Sequence, residues 1–310
     1  MNTLIISTSS FDIDHNPPLQ QLLQKGMRII TNPHRRKLTE DEIIELLKAG
    51  AIGMIAGIEP LTERVFQAAP NLKVISRCGA GLDSVDLSAA GNRGIAVLNT
   101  PEAPAQAVAE LTLGFILNLL RQIGAIDQVV RKNEWPRTQG RLLAAQTVGI
   151  IGLGHIGRRV ARLCQAFEAT VIAHDPHAAQ VPEGITLLPL EQLLTSADII
   201  TLHLPYSPAT HHLLDTRAFA AMKPEAIVIN AARGGLVDEN ALADALKSGK
   251  VSAAALDVFE HEPYQGALLE LNNVIVTSHI GSLARESRQR MEIEAAENLL
   301  QGLIKAGAVQ

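Results

Sequence analysis

Three glycines with the spacing Gly-x-Gly-x-x-Gly constrain the fold of this chain more than any other feature. Gly152, Gly154 and Gly157 follow the apolar, strand-like run Val148–Ile151 and open a helical stretch over residues 156–167. In that context the glycines permit a tight turn, a close backbone approach to a pyrophosphate and close helix–strand packing. The helix N-terminus adds free N–H groups and the positive end of its dipole. The turn therefore predicts a dinucleotide site.

Asp175 stands at the end of the next strand-like run, after the helix that the glycine turn opens. A carboxylate at this position can accept hydrogen bonds from ribose hydroxyls, and its charge repels a 2′-phosphate. The pattern favours NAD over NADP. The simpler alternative is an aspartate that only caps a loop.

Short β-branched runs alternate with helical patterns along almost the whole chain, which is typical of parallel sheets in α/β proteins. We therefore predict an α/β fold of two doubly wound parallel-sheet domains. Between the two series, one long helix is predicted from Pro104 to about Lys132, and a final helix over Leu283–Leu303. The predicted strands are Leu4–Ser7, Met27–Ile30, Ile52–Ala56, Lys73–Ser76, Ile95–Leu98, Thr147–Ile151, Val171–His174, Ile199–Leu202, Ile227–Asn230, Ala253–Leu256 and Val274–Thr277.

Composition narrows the class of protein. The 310 residues carry a formal net charge of -5 and no Lys/Arg-rich run, so we expect no nucleic-acid partner. Cys78 and Cys164 are isolated, which suggests neither a disulfide framework nor a cysteine-based metal site. The sequence shows no signal-peptide pattern and no apolar run of membrane-spanning length. We therefore expect a cytoplasmic protein that does not bind membranes.

Three polar residues follow strands of the second series and suit acid–base chemistry on a 2-hydroxy acid. They are Arg233, Glu262 and His279. Histidine can both take and return a hydroxyl proton near neutral pH. A carboxylate beside it orients the ring and stabilises the imidazolium. An arginine offers a planar, permanently charged fork for a carboxylate or carbonyl oxygen. Each residue alone could equally be structural or a surface charge.

The motifs taken together resemble those of the D-isomer-specific 2-hydroxyacid dehydrogenase family, in its phosphoglycerate dehydrogenase-like branch. The matching segments are the Gly152–Gly157 turn, Ser76–Asp86, Val108–Glu110, His203–Pro205, Asn230–Asp238, Ala255–Pro263 and Ser278–Gly281. The resemblance implies an NAD-dependent oxidoreductase and a homodimer. It also implies a Rossmann-type NAD domain over 101–283 and a flavodoxin-like substrate domain over 1–100, completed by 284–310.

The resemblance also implies a role for each site residue. Arg233 binds substrate, Glu262 supports the histidine, and His279 is the acid/base. Substrate binding also falls to Arg77, Ala80 and Gly81. The residues expected to bind the cofactor are Gly152, Gly154, His155, Ile156, Gly157, Asp175, His203, Pro205, Ala231 and Asp257.

Some features leave the substrate and the function class open. Where the phosphoglycerate dehydrogenase branch commonly has an arginine, this chain has Ala56, with Glu59 nearby, so we expect only moderate tolerance for a distal phosphate on substrates such as 3-phosphoglycerate. An NAD(H)-sensing binding protein or corepressor is the alternative, and formate or phosphite oxidation stays possible. We expect no metal site, since the neighbouring His211 and His212 should face different ways and no carboxylate completes a set.

Overall fold

The computed structural model describes residues 2–309, which form two compact units. Unit 1 runs up to Pro104 and resumes at Leu283, and unit 2 is Ala105–Ser282. The domain limits predicted from the sequence lie within a few residues of these divisions. Each unit has a parallel sheet covered by helices, which confirms the predicted fold class.

Unit 1 contains a five-stranded parallel sheet with the order β2-β1-β3-β4-β5. This is the flavodoxin-like order, in which the two central strands are buried on both faces. All residues of β1 and β3 are buried, as their continuous apolar sequences require. The strands are β1 (Thr3–Ile6), β2 (Arg28–Thr31), β3 (Ala51–Ala56), β4 (Val74–Arg77) and β5 (Ala96–Asn99).

The last helix of the chain packs on the sheet of unit 1. Leu299 reaches Gly53 of β3 so closely that a Cβ there would lie 2.8 Å from Leu299 Cδ1. Gly302 gives the same close approach to Val74 of β4. The C-terminal segment therefore completes the core of this unit. The helices of unit 1 are α1 (Pro17–Gln24), α2 (Glu40–Leu47), α3 (Glu63–Gln67), α4 (Leu87–Asn92) and α11 (Arg285–Lys305).

Unit 2 contains a seven-stranded parallel sheet with the order β12-β11-β10-β9-β6-β7-β8. Strand order reverses beside β6, the strand that leads into the glycine turn, as expected where a doubly wound sheet binds its ligand. The strands are β6 (Thr147–Ile151), β7 (Thr170–His174), β8 (Ile185–Leu187), β9 (Ile199–Leu202), β10 (Ala226–Asn230), β11 (Val251–Leu256) and β12 (Val274–Val276). The short edge strand β8 was not predicted.

The helices of unit 2 include the segment predicted as one long helix. They are α5 (Ala105–Arg121), α6 (Ile123–Val130), α7 (His155–Ala166), α8 (Leu190–Ser196), α9 (Thr216–Ala221) and α10 (Glu239–Lys247).

The prediction of a single helix from Pro104 to about Lys132 is wrong. Gln122 adopts a left-handed conformation, with φ of 53°, and separates α5 from α6 by a bend of 58°. The side chain of Asn118 accepts the N–H of Gly124 at 2.9 Å, which satisfies a donor that the interrupted helix leaves free. Within residues 2–309, no single helix is long and apolar enough to cross a membrane. Among the described helices, only the bent pair of α5 and α6 meets both criteria when the two are counted together.

Candidate active site

Three neighbouring strands of unit 2 bring the predicted catalytic loops to one edge of the sheet. In the register of β10, β11 and β12, Asn230 pairs with Leu256, and Leu256 pairs with Val276. The loops that follow carry Arg233, Glu262 and His279 respectively. The parallel-sheet rule thus places three distant sequence segments side by side.

His279 and Glu262 are in direct contact. Nδ1 of His279 lies 2.9 Å from Oε2 of Glu262, while Oε1 of Glu262 accepts the N–H of Phe259 at 3.1 Å. The side chains are 40% and 34% exposed, so both can meet a small molecule from solvent. Because Nδ1 faces the carboxylate, Nε2 is the ring atom left to exchange a proton with a substrate.

Asp257 organises the turn that carries His279. Its side chain is 1% exposed. Oδ1 accepts the hydroxyl of Thr277 at 2.5 Å and the N–H of Ile280 at 2.8 Å, and Oδ2 accepts the N–H of Gly281 at 2.7 Å. The carbonyl of Asp257 accepts the N–H of His279 at 2.9 Å, and His279 has a φ of 59°. Sequence reasoning missed this positioning role.

Arg233 lies in a loop pressed against the loop of Glu262. A Cβ on Gly234 would come within 1.9 Å of the carbonyl carbon of Phe259, so only glycine fits beside this arginine. Asn230 fixes the loop from within: it accepts the N–H of Ala232 at 3.1 Å and donates to the carbonyl of Arg233 at 2.8 Å. The Arg233 guanidinium donates to the carbonyl of Ala232 at 2.6 Å.

The glycine turn has the geometry that a dinucleotide requires. Gly152 has a φ of 97°, and a Cβ there would lie 2.4 Å from the carbonyl oxygen of His203. A Cβ on Gly157 would lie 1.9 Å from the carbonyl oxygen of Gly152, so α7 can pack on β6 only with glycine. A Cβ on Gly154 would meet only open space, which leaves room for a phosphate above the helix N-terminus. His155 and Ile156 begin α7 directly below it.

Asp175 lies against this turn and shapes it. Oδ2 accepts the N–H of Leu153 at 2.8 Å, and Oδ1 accepts the N–H of His177 at 2.8 Å. Each oxygen keeps a lone pair, and the residue is partly exposed. The carboxylate is thus both a cap for the turn and an acceptor available for ribose hydroxyls.

His203 is a buried, uncharged histidine. Nε2 lies 2.9 Å from the hydroxyl of Thr201, and within residues 2–309 Nδ1 has no hydrogen-bond partner. Burial lowers the pKa of His203 to about 3. It cannot donate or accept protons near neutral pH, which separates its chemistry from that of His279. Pro205 follows on the same loop, and Ala231 is buried just after β10.

The predicted substrate residues of unit 1 lie together in the loop after β4. The N–H of Gly79 donates to the hydroxyl of Thr100 at 2.8 Å, and Asn99 donates to the carbonyl of Ala80 at 2.6 Å. Arg77 folds over this loop and donates to the carbonyl of Cys78 at 2.8 Å. Within the described chain, the N–H groups of Ala80 and Gly81 meet no acceptor, so both can bind an anion.

Cys78 lies in the same loop and is buried. Burial raises the pKa of its thiol to about 11, which disfavours the nucleophilic thiolate. The expected absence of a metal site stays a prediction, but its two grounds are wrong. The rings of His211 and His212 stack with centroids 3.8 Å apart, and the carboxylate of Glu260 contacts His212.

Residues 113–281 match the family model described as D-isomer specific 2-hydroxyacid dehydrogenase, NAD binding domain. The chain belongs to the D-isomer-specific 2-hydroxyacid dehydrogenase family. The matched segment lies wholly within unit 2 and contains the glycine turn, Asp175, Arg233, Glu262 and His279. Unit 2 is therefore the NAD-binding domain of a member of this family.

Similar proteins in this family carry several names. D-3-phosphoglycerate dehydrogenase of Mycobacterium bovis is 42% identical over 284 residues, which cover 89% of this chain and 52% of the relative. Hydroxypyruvate reductase of Thermotoga maritima is 37% identical, with 92% and 94% covered. D-lactate dehydrogenase of Aquifex aeolicus, solved with NAD and lactic acid, is 29% identical with a TM-score of 0.84, covering 98% and 96%. The chain spans about half the length of the D-3-phosphoglycerate dehydrogenases it matches.

Proposed function

We propose that this protein is an NAD-dependent oxidoreductase that interconverts a D-2-hydroxy acid and its 2-keto acid. The observation that carries the proposal is the 2.9 Å contact between Nδ1 of His279 and Oε2 of Glu262, beside the loop of Arg233. This is an oriented acid/base next to a cation, in a domain whose glycine turn fits a dinucleotide. Bound NAD would supply the acceptor for the hydride that leaves C2 of the hydroxy acid.

The remaining chemistry falls to side chains of this protein. In the oxidative direction, Nε2 of His279 takes the proton of the C2 hydroxyl, and the Glu262 carboxylate stabilises the resulting imidazolium. In the reductive direction, the imidazolium returns that proton to the carbonyl oxygen. The Arg233 guanidinium binds the carbonyl oxygen or carboxylate, and the amides of Ala80 and Gly81 bind the C1 carboxylate.

Cofactor binding falls to the turn and its neighbours. The N–H groups at the start of α7, around Gly154, His155 and Ile156, would hold the pyrophosphate. Asp175 would bind the ribose hydroxyls and select NAD. The remaining contacts with NAD would come from the loop of His203 and Pro205, from the backbone at Ala231 and from the carboxylate of Asp257.

We propose that the end of the substrate away from C1 and C2 is small and carries no phosphate. Ala56 ends β3, and the nearby Glu59 is 1% exposed, with its carboxylate accepting the N–H of Gly57 and contacting the hydroxyl of Ser7. A buried carboxylate at the ends of β1 and β3 repels a phosphate rather than neutralising it. We therefore place hydroxypyruvate, pyruvate and the D-2-hydroxy acids formed from them, and glyoxylate with its achiral product glycolate, ahead of 3-phosphoglycerate.

A substrate panel tests the proposal. NAD reduction is measured with 3-phosphoglycerate, D-glycerate, D-lactate and sulfolactate at matched concentrations, together with NADH consumption on the 2-keto acids. We expect turnover with at least one unphosphorylated acid and a lower kcat/KM for 3-phosphoglycerate. A far higher kcat/KM for 3-phosphoglycerate that is lost in Arg77→Ala would overturn the substrate preference. Tight NADH binding without turnover on any acid would instead support the NAD(H)-sensing alternative.

We also propose that the protein is a cytoplasmic homodimer. Helix α6 buries none of its residues in the described chain, although it carries Ile123 and Val130, and Trp135 beyond it is 82% exposed. Such an apolar surface is typical of a subunit interface. Cys78 and Cys164 are both free and buried, which fits a reducing compartment. Sedimentation of wild type and Trp135→Ser tests the dimer: a monomeric wild type would refute it.

A further inference from the structure

A second group of titratable side chains lies at the same edge of the unit 2 sheet as the candidate active site. His211 and His212 stand in the loop between β9 and α9, and Glu260 stands in the loop after β11. One ligand atom of each residue lies within 4.8 Å of the other two. Two imidazoles and a carboxylate are the donor set that Zn²⁺ and related divalent transition metals prefer.

The groups around these three residues orient the imidazoles. Nδ1 of His211 lies 3.3 Å from the hydroxyl of Tyr206, and Nδ1 of His212 lies 3.9 Å from Oδ2 of Asp238. Both rings thus turn Nδ1 towards an oxygen, while Nε2 of His212 meets the carboxylate of Glu260. The contact with Tyr206 is of the kind by which an outer oxygen fixes the tautomer of a metal-binding histidine, and Asp238 places a negative charge near the ring of His212.

The local charge also favours a cation. Glu239 accepts the N–H of Glu260 at 2.8 Å, so it adds a second carboxylate beside Glu260, and Asp238 adds a third beside His212. A divalent ion bound at His211, His212 and Glu260 would be attracted to these neighbouring carboxylates.

We propose that His211, His212 and Glu260 form a surface site for a divalent transition metal of the Zn²⁺ class. Water completes the coordination, because His211 and Glu260 are exposed. The ion would take a place between Nε2 of His212 and the Glu260 carboxylate, and Glu260 would withdraw slightly, since bonds of about 2.0–2.2 Å in a tetrahedral site separate the ligand atoms by more than a hydrogen bond does.

The site joins two loops of unit 2. The N–H of His212 donates to the carbonyl of Gly235 at 2.8 Å, in the loop that carries Arg233, and Glu260 is in the loop that carries Glu262. A metal bound to His211, His212 and Glu260 therefore ties the loop after β9 to the loop after β11. Binding should release protons and weaken as the pH falls, because the ligands must lose their protons.

Titration of the full chain with Zn²⁺ and with Co²⁺ tests this site. We expect one equivalent to bind with proton release, and Co²⁺ to give visible absorption typical of low coordination number. His211→Ala and Glu260→Gln should each weaken binding by more than the about 10–100-fold that the loss of an outer partner costs. Both positions are exposed, so both variants should fold, which circular dichroism verifies.

His34→Ala is the matched control, because His34 also lies beside a glutamate, Glu42, at 3.6 Å but belongs to no group of three metal-ligating side chains among residues 2–309. This variant should bind Zn²⁺ as the wild type does. The proposal is overturned if no saturable binding occurs below millimolar Zn²⁺. It is equally overturned if His211→Ala and Glu260→Gln bind Zn²⁺ as tightly as the wild type.

Discussion

Oδ2 of Asp257 accepts the N–H of Gly281 at 2.7 Å, and through this bond a buried carboxylate holds the turn in which His279 stands. With the donors of Thr277 and Ile280, three hydrogen bonds converge on one side chain. The imidazole can therefore keep its position beside Glu262 despite its own exposure and left-handed backbone. The role expected for Asp257 from the resemblance, binding the cofactor, stays a prediction beside this structural one.

Asp257→Asn tests the positioning role. The amide offers an N–H₂ group where the turn needs an acceptor, so at least one buried donor loses its partner, at a cost of about 1–3 kcal/mol of unfolding free energy. We expect kcat to fall, and a rise in the Kd for NADH beside it would show that the carboxylate also contacts the cofactor. Thr277→Val, which removes one of the three donors, should have a smaller effect on kcat. An unchanged kcat in Asp257→Asn would show that the turn does not depend on this carboxylate.

His279→Asn should abolish most of the turnover. Asparagine cannot exchange a proton, and general acid–base catalysis contributes about 10²–10⁴-fold. We expect kcat to fall by such a factor while NADH binding, followed by its fluorescence, is nearly unchanged. His261→Asn, a change at an exposed histidine nearby, is the matched control. Turnover close to wild type in His279→Asn would remove this residue from the catalytic role.

Glu262→Gln should move the pH–rate profile. Glutamine can still accept the N–H of Phe259, but it brings no charge to the imidazole 2.9 Å away. The carboxylate stabilises an imidazolium and glutamine does not, so reduction of the keto acid, which uses the protonated ring, should decline at lower pH than in wild type. Profiles of kcat/KM that coincide for the two proteins would reject this coupling.

Asp175 should determine the choice of cofactor. Asp175→Ser removes the negative charge beside the glycine turn and keeps one acceptor for the backbone N–H groups of Leu153 and His177. NADP should then be used more efficiently relative to NAD, because the charge that repels a 2′-phosphate is gone. Parallel kinetics with the two cofactors measure the ratio. A wild-type protein that already prefers NADP would refute the assignment.

The parts of the fold that the sequence predicted best are those that burial dictates. Central parallel strands such as β6 and β9 are buried throughout or nearly so, and their apolar runs are therefore continuous. The edge strand β8 has only three residues, which are mostly exposed, and so short a run does not by itself distinguish a strand from a loop. The bend at Gln122 was not predicted because the helical spacing of apolar residues continues into α6, whose residues are not buried in the described chain.

The candidate site was predictable to the extent that its residues follow strands. Arg233, Glu262 and His279 each come after a recognisable strand, so the sheet rule collects them. The contacts of Asp257 and the stacking of His211 on His212 depend on loop backbone geometry, including the left-handed conformations of His212 and His279. Neither hydrophobic periodicity nor motif spacing carries that information.

His203 should make the protein acid-sensitive. Burial lowers the pKa of His203 to about 3 in the folded protein, whereas an unfolded histidine has a pKa of about 6.5. Below pH 6.5 the unfolded chain therefore binds more protons, and stability is lost as the pH falls from 6.5 towards 3. By proton linkage, His203 alone lowers the free energy of unfolding by about 2 kcal/mol between pH 7 and pH 5. His203→Gln keeps a polar atom near Thr201 but does not titrate. Between pH 7 and pH 5, its free energy of unfolding in urea should therefore fall by about 2 kcal/mol less than that of the wild type. Equal slopes for the two proteins would mean that His203 takes up its proton as readily in the folded state as in the unfolded one.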